Sequence, residues 1–487
     1  MNLEKFTELS TEYSLIPVYE KAETGGLSPI SVFSKLREGK KYCFLFESVD
    51  EAGPMARFSF IGYDPEKIIS NRGGKVIVND KNEVEESETN IFDLLQVELN
   101  SSSSPCLEDL PSFSGGIIGY LGFENISLLE PTIKFSYEDK ANLPDSIWGI
   151  FHNIIAFDHL KKEIIIIKNI IPEGNKENLT ALFNNAKKEI SELKDLLQGC
   201  IESKSGVFSG RIENPHDDSE NFISLVEKAK ENILCGDIFQ IVLSKRFYAE
   251  YKGDLFNIYK SLREINPSPY MYYMTFQDDL TIIGTSPEDL LKVMQRNAAI
   301  LPIAGTRKRG NGNEEDKTLA LDLRGDPKEN AEHTMLVDLA RNDLGRVCEY
   351  GSIKQTCDRE VRNFSHVMHM VSKVEGKLQK DKSCIDALKA SFPAGTVTGA
   401  PKIRSVQLIN EYEKTKRNIY AGAIGYIGFN GNLDMCIAIR TLWADKNKIY
   451  WQAGAGIVAD SKPELELSEI INKSAVIRTA IKLAETI

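Results

Sequence analysis

The apolar residues of this chain arrive in short runs, each closed by turn-forming residues, and that rhythm restricts it to folds built on sheets. In the first 205 residues the runs read CFLFES, FSFIGY, KVIV, GGIIGYLGF and KEIIIIKNII, lengths that suit strands of about four to eight residues. None approaches the ~20 residues of a membrane-spanning helix, and mean hydropathy is −0.26. Helical spacing appears between them, most clearly at 175–197 and in SENFISLVEKAKENILCGD, which leads into the strand-like FQIVLSKRFYAE. The expected class is α+β. A polar stretch from Ser203 to Asn221, without apolar periodicity, predicts a boundary between an amino-terminal domain, 1–205, and a carboxy-terminal domain, 206–487. The acidic run EVEESE at 83–88 reads as a solvated loop.

Charge and cysteine usage exclude several functions. The net charge is −12, with no block of Lys or Arg to offset it, so neither nucleic acid nor an anionic membrane is an expected partner. The opening MNLEKFTELSTEYS lacks the apolar stretch of a secretory signal, which makes the cytoplasm the expected location. Eight cysteines, at 43, 106, 200, 235, 348, 357, 384 and 436, are scattered with no C-x-x-C pair. That spacing fits neither a zinc site nor a disulfide framework, and predicts free thiols in the core.

The clearest local prediction is a hairpin in which GAIGYIGF and LDMCIAIRT flank Asn430-Gly431-Asn432, since an Asn-Gly step tolerates the positive φ of a tight turn. Alternation along its second strand puts Asp434, Cys436, Ala438 and Arg440 on one face. A guanidinium among small side chains makes either the floor of a carboxylate or phosphate pocket or a plain rim ion pair. Asp326-Pro327 predicts the start of a helix in which Glu332 borders a buried face formed with Met335, Leu336 and Leu339. The last helix carries an apolar stripe at Leu467, Ile470, Ile471, Ile477 and Ile481, with Glu466, Glu469 and Lys473 beside it. Two carboxylates from separate helices suit Mg2+, which takes one or two of them and completes its shell with water and substrate oxygens; solvated helix faces are the plainer alternative. Gly-rich turns at 302–310 (PIAGTRKRG), 392–402 (FPAGTVTGAPK) and 452–461 (QAGAGIVADS) offer bare N–H groups to an anion, yet none matches a P-loop or dinucleotide fingerprint. His333, His366 and His369 fall in or near segments read as helical and are available acid/base groups.

Taken in order, SPEDL, PIAGTRKRG, AEHTMLVDLARNDLGRV, HVMHMVSKVEGKL, FPAGTVTGAPKIR, YAGAIGYIGF and QAGAGIVADSKPELELSEIINKSA resemble anthranilate synthase component I, the large aminating subunit within the chorismate-utilising enzymes. The resemblance covers nearly all of 225–485 and is looser before that, through FESVDEAGPMARFSFIG and GGIIGYLGFE. It implies packed antiparallel sheets with surrounding helices and the conversion of chorismate and ammonia to anthranilate and pyruvate. It also implies a regulatory contribution from 1–205 and a chorismate site in 206–487. Residue by residue, it makes Glu332 and Glu469 the Mg2+ ligands, places chorismate against Gly305, Thr306, Tyr420, Arg440 and the backbone of Gly454, Ala455 and Gly456, and gives Glu288, His369 and Thr396 to catalysis. Glu288 is expected to protonate the departing hydroxyl and His369 to assist pyruvate elimination. Family members that add water carry a Lys where this chain has Gln240, and aminodeoxychorismate synthases a Lys in place of Ala304. With both amines absent the nucleophile comes from outside, and ammonia needs no dedicated base.

Ser48 and the run Pro269-Tyr270-Met271 match the L-tryptophan feedback site of anthranilate synthases. No cysteine sits in the Gly-x-Cys-x-Gly turn of a glutamine amidotransferase, so the resemblance implies a separate amidotransferase subunit as partner. The alternatives are the aminating subunit of an aminodeoxychorismate synthase, against which Ala304 and the feedback residues speak, and a silent sensor of tryptophan or chorismate.

Overall fold

Runs of β-branched and aromatic residues that alternate in burial pair antiparallel and collect into two sheets, each of twelve strands among the described residues. The computed structural model describes residues 1–49, 57–80, 83–135, 143–198, 206–276, 280–363 and 367–487. One sheet runs from Ile16–Glu23 through Glu163–Ile170, Asn153–Asp158, Phe58–Tyr63 and Tyr42–Glu47. It continues through Tyr270–Phe276, Leu280–Ser286, Thr441–Asp445, Lys448–Ile457 and Gln240–Gly253 to Phe208–Ile212. The other runs from Ile303–Lys308 through Val367–Lys377, Asn297–Ile300, Asp289–Met294, Leu433–Ile437 and Ala423–Gly428. It ends with Gly116–Leu121, Ser146–Phe151, Lys67–Arg72, Lys75–Asp80 and Glu83–Ser87.

Both sheets cross the boundary read from the sequence. Tyr42–Glu47 pairs with Tyr270–Phe276, and Gly116–Leu121 with Ala423–Gly428. The residues at that boundary, 199–205, lie outside the described ones, and strands from either side of it share each sheet. Between the sheets lies an aromatic layer: Phe44 and Phe60 of one meet Phe151 and Tyr426 of the other, at ring-centroid distances of 4.9 Å for Phe44–Phe151 and 6.2 Å for Phe60–Tyr426. Helices cover the outer faces. Lys176–Gln198 lies on the first two strands of the first sheet, Ser219–Leu234, Phe256–Ile265 and Pro463–Leu483 pack together over its far end, and Pro327–Gly345 covers Ile303–Lys308 and Val367–Lys377. No helix among the described residues is long and apolar enough to cross a membrane.

The expected hairpin is present, with Ala423–Gly428 and Leu433–Ile437 joined through Gly431 at φ +78. Other expectations are corrected. EVEES at 83–87 is a fully exposed edge strand, which its carboxylates protect from further pairing. The glycines of 452–461 sit mostly inside a strand, Lys448–Ile457, instead of a turn. His369 lies on the strand Val367–Lys377, not on a helix, and His366 lies outside the described residues. The deepest stripe of Pro327–Gly345 is His333, Val337, Ala340 and Leu344, while Met335, Leu336 and Leu339 are half-buried beside Glu332 because that side lines a cleft. Of the described cysteines four are buried, but Cys106 and Cys235 are exposed.

Candidate active site

The strand expected to carry Arg440 ends at Ile437, and the chain then leaves one sheet for the other at Thr441–Asp445. Arg440 takes a left-handed backbone, φ +48, in that crossover. It therefore does not share the face of Asp434 and Cys436. Its side chain enters the cleft close to Glu288 and His369, whose proton affinities it affects. Its guanidinium makes no hydrogen bond or ion pair among the described residues, a free fork for a carboxylate.

Glu288 immediately precedes the strand Asp289–Met294 and is anchored through its backbone: its carbonyl accepts from Ile437 N–H at 3.0 Å, and its N–H donates to Ser286 Oγ at 3.4 Å. Burial in the cleft wall pushes the Glu288 carboxyl up to about 7, against the opposing pull of Thr396, Lys473 and Arg440. The Thr396 hydroxyl is itself buried and makes no hydrogen bond of good geometry, so it is available to the carboxyl or to a bound ligand. His369 Nδ1 donates to Gly305 O at 2.9 Å, with Thr306 Oγ1 at 3.1 Å. That bond places the proton on Nδ1, making Nε2 the basic nitrogen of the neutral ring. Desolvation lowers the His369 pKa, the Gly305 bond opposes this, and Arg440 lowers it further. An acid that keeps its proton near neutrality thus faces an imidazole that stays neutral, the division of labour that acid/base chemistry requires.

Gly305 occupies a bulge between Ala304 and Thr306, at φ +71, where a side chain would strike Leu323 and Glu329. Gly454 and Gly456 are required by close approach: a Cβ at 454 would lie 2.5 Å from the Tyr420 hydroxyl, and one at 456 would lie 2.7 Å from Gln240 Nε2. Tyr420 is buried, and its hydroxyl makes no hydrogen bond among the described residues. Ala455 lies between these glycines with its side chain in the core, so it can offer backbone alone. Glu332 and Glu469 come from the two facing helices. Burial raises the Glu332 pKa and the Glu469 charge adds to that, while Lys328 at 3.9 Å is its distant ion partner. Lys473 holds Glu469 at 2.6 Å and donates to Gly454 O at 3.1 Å. Two repelling carboxylates invite a cation. Among the described residues no group of three or more His, Cys, Asp or Glu is placed to hold a metal; a cation held by Glu332 and Glu469 would need the rest of its shell from water and substrate, a donor set that fits Mg2+.

Sequence reasoning missed the support beneath this cleft. Arg417 is fully buried, donates to Val397 O at 2.8 Å and Val242 O at 2.7 Å, and pairs with Glu413 at 2.6 Å. It ties the Thr396 loop to the strand that backs Gly454–Gly456. A buried arginine in the polar segment NEYEKTKRN, 410–418, carries no local signal of burial.

Ser48, Pro269, Tyr270 and Met271 come together elsewhere, on the wall of a cavity of about 380 Å3 between the sheets. Ser48 Oγ is buried without a hydrogen bond among the described residues, and Tyr270 donates to Asp434 Oδ1 at 2.8 Å. Lys292, Asp434, Cys436 and Tyr426 complete the wall and were not assigned to it from sequence, because they come from strands that only the fold brings opposite Ser48.

Arg440, Glu288 and His369, brought close together where the chain passes between the two sheets, suit a small anionic substrate. The family described as chorismate binding enzyme matches residues 41–479, and the chain belongs to it. It is 42% identical to anthranilate synthase component 1 of Bacillus caldotenax, over 99% of this chain and 97% of the relative, and 40% identical to that of Aquifex aeolicus, over 100% and 98%. Anthranilate synthase component I of Streptococcus pneumoniae superposes with a TM-score of 0.76 at 38% identity, covering 94% of this chain and 99% of the other. A menaquinone-specific isochorismate synthase of Escherichia coli shares the fold, with a TM-score of 0.69 at 17% identity over 98% of both.

Proposed function

We propose that this chain is the aminating component of an anthranilate synthase, converting chorismate and ammonia to anthranilate, pyruvate and water at the first step of tryptophan biosynthesis. The observation that carries the reading is the cleft itself, which presents an acid, a base and anion-holding groups but has Ala304 and Gln240 where other reactions of this family use lysine. Arg440, the Tyr420 hydroxyl and the backbone of Gly454–Gly456 hold one carboxylate of chorismate. Gly305 and Thr306 line the ring. The protonated Glu288 gives its proton to the ring hydroxyl as ammonia bonds to carbon 2 and that hydroxyl leaves as water. Neutral His369 then assists loss of the carbon 2 proton as the enolpyruvyl group departs as pyruvate, which aromatises the ring. Thr396, beside Glu288, keeps the acid aimed. Glu332 and Glu469 would hold Mg2+, which when bound supplies positive charge for the ring carboxylate.

Ammonia reaches the site from a partner that hydrolyses glutamine, an amidotransferase subunit. The cavity at Ser48, Pro269, Tyr270 and Met271 takes L-tryptophan as feedback inhibitor. The test is product analysis with purified chain, chorismate, excess ammonium and Mg2+ near neutral pH, where Glu288 still holds its proton in part. Fluorescent anthranilate that disappears with EDTA and falls with L-tryptophan is expected. Accumulation of aminodeoxychorismate instead would overturn the reading, as would tight ligand binding without turnover.

A further inference from the structure

One residue pair separates the cleft from the cavity. Glu288 belongs to the cleft, and Asp289 directly follows it. Asp289 stands opposite Cys436 in the sheet, and after a bulge Lys292 stands opposite Asp434. Residues opposite each other in a sheet share a face, so Asp289 lies on the side of Cys436, Asp434 and Lys292, which are all cavity-lining residues. Asp289 itself is buried, and its Oδ2 makes no hydrogen bond among the described residues. A buried carboxyl oxygen without a partner weakens a fold and calls for a reason.

We propose that Asp289 is the positioning residue through which occupancy of the cavity reaches the acid Glu288. The inference rests on the reading of that cavity as the L-tryptophan site. The charged groups around Asp289 are few: Asp434 and Glu288 repel its charge, and Lys292 attracts it. Tyr270 and Tyr426 also sense Asp434, and Cys436 is the residue directly across. On the cleft side, Glu288 faces Lys473 and Arg440. Asp434 pairs with Lys292 at 2.7 Å and accepts a hydrogen bond from the Tyr270 hydroxyl at 2.8 Å, and both of those groups line the cavity. A ligand whose charged groups compete for either one changes the negative charge that Asp289 faces. Any response of Asp289, in proton or in tilt, is delivered one peptide bond away to the acid. Backbone pairing reinforces the route, since Tyr270 stands opposite Ser286, whose hydroxyl donates to Ile437 O at 2.7 Å and accepts from Glu288 N–H.

The test uses the full chain and Asp289→Asn, which keeps the shape and removes the titratable carboxyl. In the parent protein, saturating L-tryptophan should suppress ammonia-dependent turnover at least about tenfold. In Asp289→Asn, calorimetry should show L-tryptophan binding within about threefold of the parent, while the variant retains more than half of its own uninhibited turnover at saturation. Difference infrared spectra should show a protonated-carboxyl band that L-tryptophan perturbs in the parent and leaves unchanged in the variant. Full inhibition of Asp289→Asn with normal binding would overturn the proposal, and loss of L-tryptophan binding would reduce Asp289 to a support of the cavity wall. Asp289→Ser repeats the test should the amide not fold; failure of both to fold would likewise assign Asp289 to structure alone. If the parent binds no L-tryptophan, the reading of the cavity itself has failed, a result distinct from all of these.

Discussion

Glu288 and His369 illustrate how environment sorts two titratable groups into an acid and a base. Glu288→Gln keeps the volume and removes the proton, and should lower ammonia-dependent kcat by about 10²–10⁴-fold with little change in chorismate binding. The same substitution reports on stability. Burial raises the Glu288 pKa from 4.5 to about 7, so the folded state holds the proton more tightly than the unfolded chain. The stability this gives is complete below pH 4.5 and is lost as pH rises through about 7. Glutamine cannot ionise, so the Tm of Glu288→Gln should pull ahead of the parent between those values and level off above them. The full gain is at most about 3 kcal/mol, and a Tm difference that stays flat with pH would contradict it. At the other site, Ser48→Phe would replace the buried Ser48 hydroxyl with a ring that fills part of the cavity. Inhibition by L-tryptophan should vanish, with turnover by free ammonia retained; calorimetry against turnover separates the two effects.

At the scale of single elements, the motifs were legible where chemistry demands a residue type, and illegible where it demands an approach. Asp326-Pro327 announced a helix start, and Asp326 does cap it, accepting from Lys328 N–H at 2.9 Å. Arg440 could be singled out as an anion-binding residue, but its left-handed backbone could not, because strand alternation looks continuous until the chain must change sheets. Gly454 looked like a turn glycine and is a strand glycine that makes room for the Tyr420 hydroxyl. Gly454→Ala should therefore cost about 1–3 kcal/mol through overpacking and raise the KM for chorismate. Adding Tyr420→Phe removes the clashing oxygen, and should return part of the lost Tm without restoring KM. Arg417 carries no readable sign of burial because, beyond its local partner Glu413, it is held by the carbonyls of Val397 and Val242, which come from segments distant in the sequence. Arg417→Met leaves the buried Glu413 carboxylate without its counter-charge, held among the described residues only by the N–H and hydroxyl of Ser244, a loss of about 3–5 kcal/mol. Thermal melts of Arg417→Met and of Arg417→Met with Glu413→Gln check this, with the second change expected to recover part of the loss.

Over the whole molecule, class and order of elements were readable, and the assembly was not. Short apolar runs announce strands, but register and neighbours depend on partners hundreds of residues away, such as Phe46 opposite Tyr272 and Gly119 opposite Gly425. A compositional boundary near residue 205 therefore marks a change along the chain that the sheets ignore. The consequence is testable by cutting there. Residues 206–487 alone would expose the edges of Tyr270–Phe276 and Ala423–Gly428, each with a row of unpaired N–H and C=O groups, and would uncover half of the aromatic layer. Expressed by themselves they should aggregate and show no ammonia-dependent activity, although every residue assigned to the chorismate cleft lies within them. Co-expression with 1–205 should restore soluble protein and turnover, because the two seams are rows of backbone hydrogen bonds and packed rings that two chains can form as well as one. Soluble, active 206–487 without its complement would mean that the seams contribute far less than their continuity implies, and that the cleft is held by the carboxy-terminal strands alone.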